Sequence, residues 1–265
     1  MNVSAKYTTN LAKAQGMVPE TYELLQLWTP GMSVAALKTK VREVGALGRA
    51  TQVRVDDIVG RAFAQRYLCA GTKPAIWLKR LLDDQAPRPL LRQLMFLFTA
   101  RANRVLHDFV CDVYWRKCNA GAGEVTKQDA HNFLTRAMST GHVDKRWSDT
   151  MIERVTRYLL GTLEDFEMIE DNRFGRRKLR PPVILPQAVL FLVYELHFAG
   201  LESVAIPKHE DWGLFGLMPA DVLGSLEAAA AQGHLLFQNS GAILRIEWTH
   251  SDMESVLDAL THRKI

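Results

Sequence analysis

The residues best placed to do chemistry in this sequence are cations. Arg173, Arg176, Arg177, Lys178 and Arg180 fall within eight positions, just after a turn signal at Asp171-Asn172 that Gly175 closes. Guanidinium and ammonium groups bunched on a turn suit a phosphate backbone. A second polar set, Arg49, Thr51, Gln52 and Arg54, stands at the start of a predicted helix. All four side chains can hydrogen-bond to phosphates or base edges when such a helix start faces a major groove. A solvated charged loop, or a three-helix bundle with a polar helix start, has the same local composition. The surroundings of each set therefore decide the reading.

Other chemistries find less support. There is no phosphate-cradling glycine loop, no Gly-x-Ser-x-Gly elbow and no His-Glu-x-x-His pair. Asp56-Asp57 and Asp83-Asp84 are neighbours on predicted helices, where adjacent side chains diverge by about 100°. Glu164, Asp165 and Glu167, followed by Glu170 and Asp171, could hold magnesium, since hard cations take carboxylate oxygens. The competing reading is a solvated helix end that moderates the charge of the basic turn. His107 beside Asp108 has no second ligand at metal spacing, and Glu195-Leu196-His197 sits on a predicted buried helix. Cys69, Cys111 and Cys118 form no zinc pattern, and an odd count without Cys-x-x-Cys fits buried thiols in a reducing cytosol. The expectation is a protein that is not an enzyme, with no catalytic residue, no metal and no cofactor.

The elements around the basic turn give it a context. Thr126 opens a short helix with Asp129 at capping-box spacing, Gly141-His142 forms a turn, and Ser148 caps a longer helix. In that helix Met151, Ile152, Val155, Tyr158, Leu159, Thr162, Leu163 and Phe166 repeat at three- and four-residue spacing. Helix, turn, helix and basic hairpin in this order predict a winged-helix-like unit. Upstream, residues 1–18 read as an extended arm. Pro19 starts one helix, Ser33 caps a second, and Gly45 to Gly48 lead to a third that Thr51 opens, a helix-turn-helix candidate. Between these units a single long helix is predicted from Leu90 to Cys118. Beyond Pro181-Pro182 come a core helix from Leu185 to Ala199, an alanine-rich helix from Pro219, strands around Asn239-Ser240-Gly241, and a closing helix capped by Asp252.

The predicted fold is therefore mainly α, with helical bundle domains, helix-turn-helix or winged-helix-like units and short β-hairpins. The expected domains are 1–70, 71–182 and an acidic, winged-helix-like 183–265. Charge follows that division: residues 1–70 carry net +4, residues 71–182 +6 and residues 183–265 −6. A basic surface for a polyanion joined to a module with a different partner would look like this. At 48% hydrophobic and 23% charged residues the chain is ordinary for a globular protein. The longest apolar stretch, Val183 to Leu201, carries Pro186, Gln187, Glu195 and His197, which argues against a membrane span. The N-terminal residues resemble no secretion signal, so the expected location is cytoplasmic.

Several phrases are unusual enough to carry a resemblance. The opening from YTTNLAKAQGMVPETYELLQLW to VDDIVGRAFAQRYL, then LLRQLMFLFTARANRVLHDFVCDVYW, LLGTLEDFEMIED, YELHFAGL and DWGLFGLMPADVL resemble the BrxA family of BREX bacteriophage-exclusion systems. The resemblance covers nearly the whole chain. It implies a bacterial, cytosolic, mainly helical protein that binds double-stranded DNA within a multi-gene phage-defence locus that also encodes a methyltransferase. It supplies no catalytic residues and no DNA-contact motif to carry over. The function expected is a largely nonspecific, non-enzymatic DNA-binding accessory protein held by Arg and Lys contacts to phosphates. Alternatives are a scaffold whose C-terminal module binds other BREX proteins, and a magnesium nuclease built on the acidic cluster near Glu164. The residues do not distinguish DNA from RNA.

Overall fold

Four hydroxyl caps anticipated from the sequence, Ser33, Thr51, Thr126 and Ser148, each accept a first-turn backbone N–H in the computed structural model. It describes residues 6–48, 50–171, 177–240 and 243–262. The architecture is mainly α-helical with small antiparallel sheets. The chain divides into two units, residues 1–79 with 95–182, and residues 80–94 with 183–265.

In the first unit the predicted arm is not wholly extended. It forms a 3-10 turn at Asn10–Lys13 with Leu11 and Ala12 buried, and Met17 adopts a left-handed backbone (φ 56°). Then follow α1 (Val18–Leu27) and α2 (Val34–Val44). The third predicted helix is α3 (Gln52–Val55), a π-helical stretch at Asp56–Phe63 and α4 (Ala64–Tyr67). Next come α5 (Lys73–Asp83) and α6 (Arg88–Arg101), of which residues 80–94 belong to the second unit. The long helix expected through Cys118 breaks after Arg101. Asn103 donates from Nδ2 to the Thr99 carbonyl at 2.7 Å and takes φ −137°, ψ 86°, outside the helical region. This is the competition that short polar side chains offer to helical backbone bonding. The chain resumes as α7 (Arg104–Phe109), a π-helical stretch at Val110–Tyr114 and α8 (Trp115–Asn119).

The segment that follows carries the basic turn. It comprises β1 (Glu124–Val125), α9 (Lys127–Ser139), α10 (Asp149–Asp165), β2 (Ile169–Asp171) and β3 (Arg177–Leu179). Thr126 and Asp129 form a reciprocal capping box on α9. Val155, Leu159 and Leu163 turn the apolar face of α10 inward, with Leu134 of α9 and Val125 of β1 equally buried. The three strands pair antiparallel in the order β1-β3-β2. Lys178 lies opposite Glu124 on one side and Glu170 on the other, and Arg177 lies opposite Asp171.

The second unit contains α11 (Pro186–Phe198), α12 (Pro219–Ala231), the hairpin of β4 (Leu235–Ser240) and β5 (Ile243–Trp248), and α13 (Met253–His262). Its core includes Phe191 and Tyr194 of α11 and Trp212 from a 3-10 turn at Glu210–Phe215. Arg80 joins its two chain segments, with nitrogens 2.6 Å from Asp84, 3.2 Å from Glu254 and 2.7 Å from Asp258. Among the described residues no helix is long and apolar enough to cross a membrane.

Candidate nucleic-acid interface

The outward face of α10 carries Thr150, Glu153, Arg154 and Arg157, spaced to lie along one side of the helix. With Lys127 at the start of α9, Leu160, and Arg177 from β3 they line an open groove of about 520 Å³. Tyr158 organises its cations. The guanidinium carbons of Arg154 and Arg157 lie 5.9 and 5.8 Å from its ring centroid, within cation–π range. Arg177 is largely covered. Its nearest carboxylate, Asp171, is 3.8 Å away, beyond hydrogen-bond distance, and its buried Nε has no acceptor among the described residues. The lining thus holds four cations and one carboxylate, Glu153, which Lys127 approaches to 2.5 Å.

The residues anticipated from sequence are distributed unevenly about this groove. Arg177 lines it. Lys178 is exposed on β3, between the strand positions of Glu124 and Glu170. Arg180 is paired with Glu170 at 2.8 Å, so its charge is largely answered within the protein. Arg173 and Arg176 lie outside the described residues, as does Arg49. At the α3 start Gln52 is exposed, Thr51 accepts the Arg54 N–H at 3.3 Å, and Arg54 Nη1 donates to the Lys13 carbonyl at 3.2 Å. Close by in sequence, Lys38 and Arg42 converge on Asp56 at 2.8 and 3.5 Å, and the Lys38 hydrogen bond holds that carboxyl below its usual range. Three further cations, on α7 and α8, are likewise engaged. Arg104 reaches Asp108 at 2.8 Å, Lys117 reaches Asp129 at 2.8 Å, and Arg116 reaches Asp112 at 3.3 Å.

Lys127, Arg154 and Arg157 were the residues that sequence reasoning passed over. A usable signal exists, in two arginines just ahead of Tyr158 on the polar stripe of a capped helix immediately before a basic hairpin.

The acidic cluster serves other ends. Asp165 Oδ2 accepts the Met17 amide at 3.1 Å, while Glu170 and Asp171 face Arg180 and Arg177. Among the described residues no group of three or more His, Cys, Asp or Glu side chains could hold a metal ion. His107 and Asp108 belong to a buried polar knot. Asp108 accepts from Tyr7 Oη at 2.8 Å, and His107 Nδ1 lies 3.1 Å from it. His197 stacks on Trp248 with ring centroids 4.0 Å apart, and burial lowers its pKa.

A family model, BrxA, matches residues 5–195. The chain therefore belongs to the BrxA family, and that membership points to a role in BREX phage defence. The fold is also similar to the crystal structure of an uncharacterized protein from Magnetospirillum magneticum. The two are 14% identical with a TM-score of 0.57, the match covering 73% of this chain and 95% of that one. At this identity the likeness concerns the fold alone. Comparison with curated proteins gives no match.

Proposed function

We propose that this protein is a non-enzymatic, double-stranded-DNA-binding accessory protein of a BREX phage-defence system, acting in the cytoplasm without a cofactor. In this reading β1, α9, α10, β2 and β3 form a winged-helix-like unit. The α10 helix enters the major groove and the β2–β3 hairpin lies beside the backbone. The observation that carries it is the groove in which Arg154 and Arg157, steadied by Tyr158, meet Lys127 and Arg177. Such a cluster neutralises several phosphates at once, and counterion release makes the binding steeply salt-dependent. Lys178, and Gln52 with Thr51 and Arg54 at the α3 start, supply further contacts, as do Arg49, Arg173 and Arg176. A mobility-shift titration at two salt concentrations, with duplex DNA and duplex RNA competitors side by side, tests the reading. It expects tight DNA binding at low salt that collapses at high salt. No shift at low salt, or equal competition by RNA, defeats it.

A second reading has its own support. In the second unit, Val189, Leu190 and Val193 of α11 and Leu226, Ala228 and Ala229 of α12 border an apolar groove of about 160 Å³. A protein-interaction role, with other BREX proteins docking on this module, uses that groove.

A further inference from the structure

One carboxylate stands among the cations of the basic groove. Glu153 lies on the exposed face of α10 between Thr150 and Arg157 and is itself about half exposed, with Lys127 Nζ 2.5 Å from its Oε2. A surface that only gripped phosphates gains nothing from this charge. It repels phosphate and holds one of the four cations away from it. At a base edge the same group has a positive use. In the major groove a glutamate accepts from the N4 amino group of cytosine, and an arginine donates to O6 and N7 of guanine. Glu153 and Arg157 share one helix face in the N-terminal half of α10. That half is the part of a helix that reaches base edges when it lies in the groove.

We infer that Glu153 is the specificity-determining residue of this surface, reading a cytosine amino group while Lys127 passes from Glu153 to a phosphate. The inference rests on the duplex-binding reading above and goes beyond it, because phosphate contacts alone carry no sequence information. On binding, the ion pair between Lys127 and Glu153 opens. A duplex that presents no amino donor leaves the carboxylate unpaired against DNA, and that duplex is disfavoured.

The test is selection from a pool of duplexes with a randomised central segment, using the full-length protein and sequencing the bound fraction. Wild type enriches cytosine at a fixed position, with a preference of roughly five- to hundredfold for a base that is read. Glu153→Ala removes the enrichment and binds unselected duplex several-fold tighter. Glu153→Gln shifts the preference towards adenine, whose N6 and N7 a carboxamide matches. Lys127→Gln weakens binding to every duplex and keeps the cytosine preference. Wild type that binds duplex with no base enrichment, or Glu153→Ala with the enrichment intact, overturns the role of Glu153 and leaves the duplex-binding reading standing. Wild type that binds no duplex at any salt overturns both.

Discussion

Asp165 accepts the backbone N–H of Met17 at 3.1 Å, joining the last turn of α10 to the N-terminal segment. To the same segment Arg66, 3% exposed, donates at the carbonyls of Ala14, Gln15 and Gly16 at 2.9, 2.6 and 3.0 Å. Residues 14–17 are thus held by a carboxylate on an amide and a guanidinium on three carbonyls. Gly16 fits tightly, since a Cβ there would come within 2.6 Å of the Asp165 Cβ. The segment connects the helix that Thr51 opens with the helix that carries the candidate groove.

Replacing Arg66 therefore costs far more than a surface charge. Arg66→Met leaves three carbonyls without donors in the interior, a loss of about 3 kcal/mol or more. Arg66→Lys keeps the charge but lacks the planar fork that spans three acceptors, so it falls between wild type and Arg66→Met. Urea unfolding of the three proteins measures this. A loss under about 1 kcal/mol for Arg66→Met would contradict the clamp.

One buried and one half-buried carboxylate of this unit give opposite pH signatures. Burial pushes Asp165 above the usual carboxylate value of 3.8, only partly offset by its backbone hydrogen bonds. The folded chain then binds the proton more tightly than the unfolded one, so stability from this group falls as pH rises from 3.8 through the raised pKa. Burial also presses Asp108 upward, but hydrogen bonds from His107, Tyr7 and Arg104 outweigh it and hold Asp108 below 3.8. Its contribution is present above 3.8 and is lost as pH falls through the lowered pKa. Relative to Asp165→Asn, wild type should gain stability between pH 7 and pH 4. Relative to Asp108→Asn, it should lose stability only below that range. Parallel slopes for the two variants would refute the assignment.

The local elements were legible because they are set by neighbours in the chain. Ser148 and Thr126 each bond within their own first turn, and the apolar repeat of α10 needs only its own spacing. The break at Asn103 was not legible, since Asn also occurs within helices and its bond to the Thr99 carbonyl depends on the backbone there. The basic turn was legible as composition but not as charge. The β2–β3 register sets Asp171 opposite Arg177, and Glu170 reaches Arg180 at 2.8 Å, neither of which the run of cations reveals. Arg154 and Arg157 were hidden for another reason. Periodicity points to the buried face of a helix, whereas these arginines matter through Lys127 and Arg177 from other elements.

The groove makes a prediction that separates cations at the surface. Arg154→Ala with Arg157→Ala should weaken duplex binding and flatten the log–log salt dependence by about 0.9 for each phosphate contact removed. Arg180→Ala should change both much less, because Glu170 at 2.8 Å already answers its charge. Conversely, Glu170→Gln frees Arg180 and should tighten binding. Fluorescence anisotropy across a salt series reads all three. An equal effect of Arg180→Ala and the α10 double variant would show that the groove is not the contact surface.

Removing residues 183–265 should not yield a clean first unit. Residues 80–94 belong to the second unit and depend on it for their partners. Arg80 would lose Glu254 and Asp258, and Gln93 would lose its donation to the Val183 carbonyl at 2.8 Å and the Leu185 amide it accepts at 3.1 Å. Leu81, Leu90, Leu91 and Leu94, no more than 1% exposed in the intact chain, lie in that same stretch. Each buried leucine returned to water costs about 1.5–3 kcal/mol, and a contiguous apolar patch promotes association. Chain 1–182 should therefore bind a hydrophobic dye and self-associate in analytical ultracentrifugation, so Ala228→Arg in the intact chain is the better probe of the α11–α12 groove. A monomeric 1–182 that melts as sharply as the full chain would show that residues 80–94 do not need the second unit.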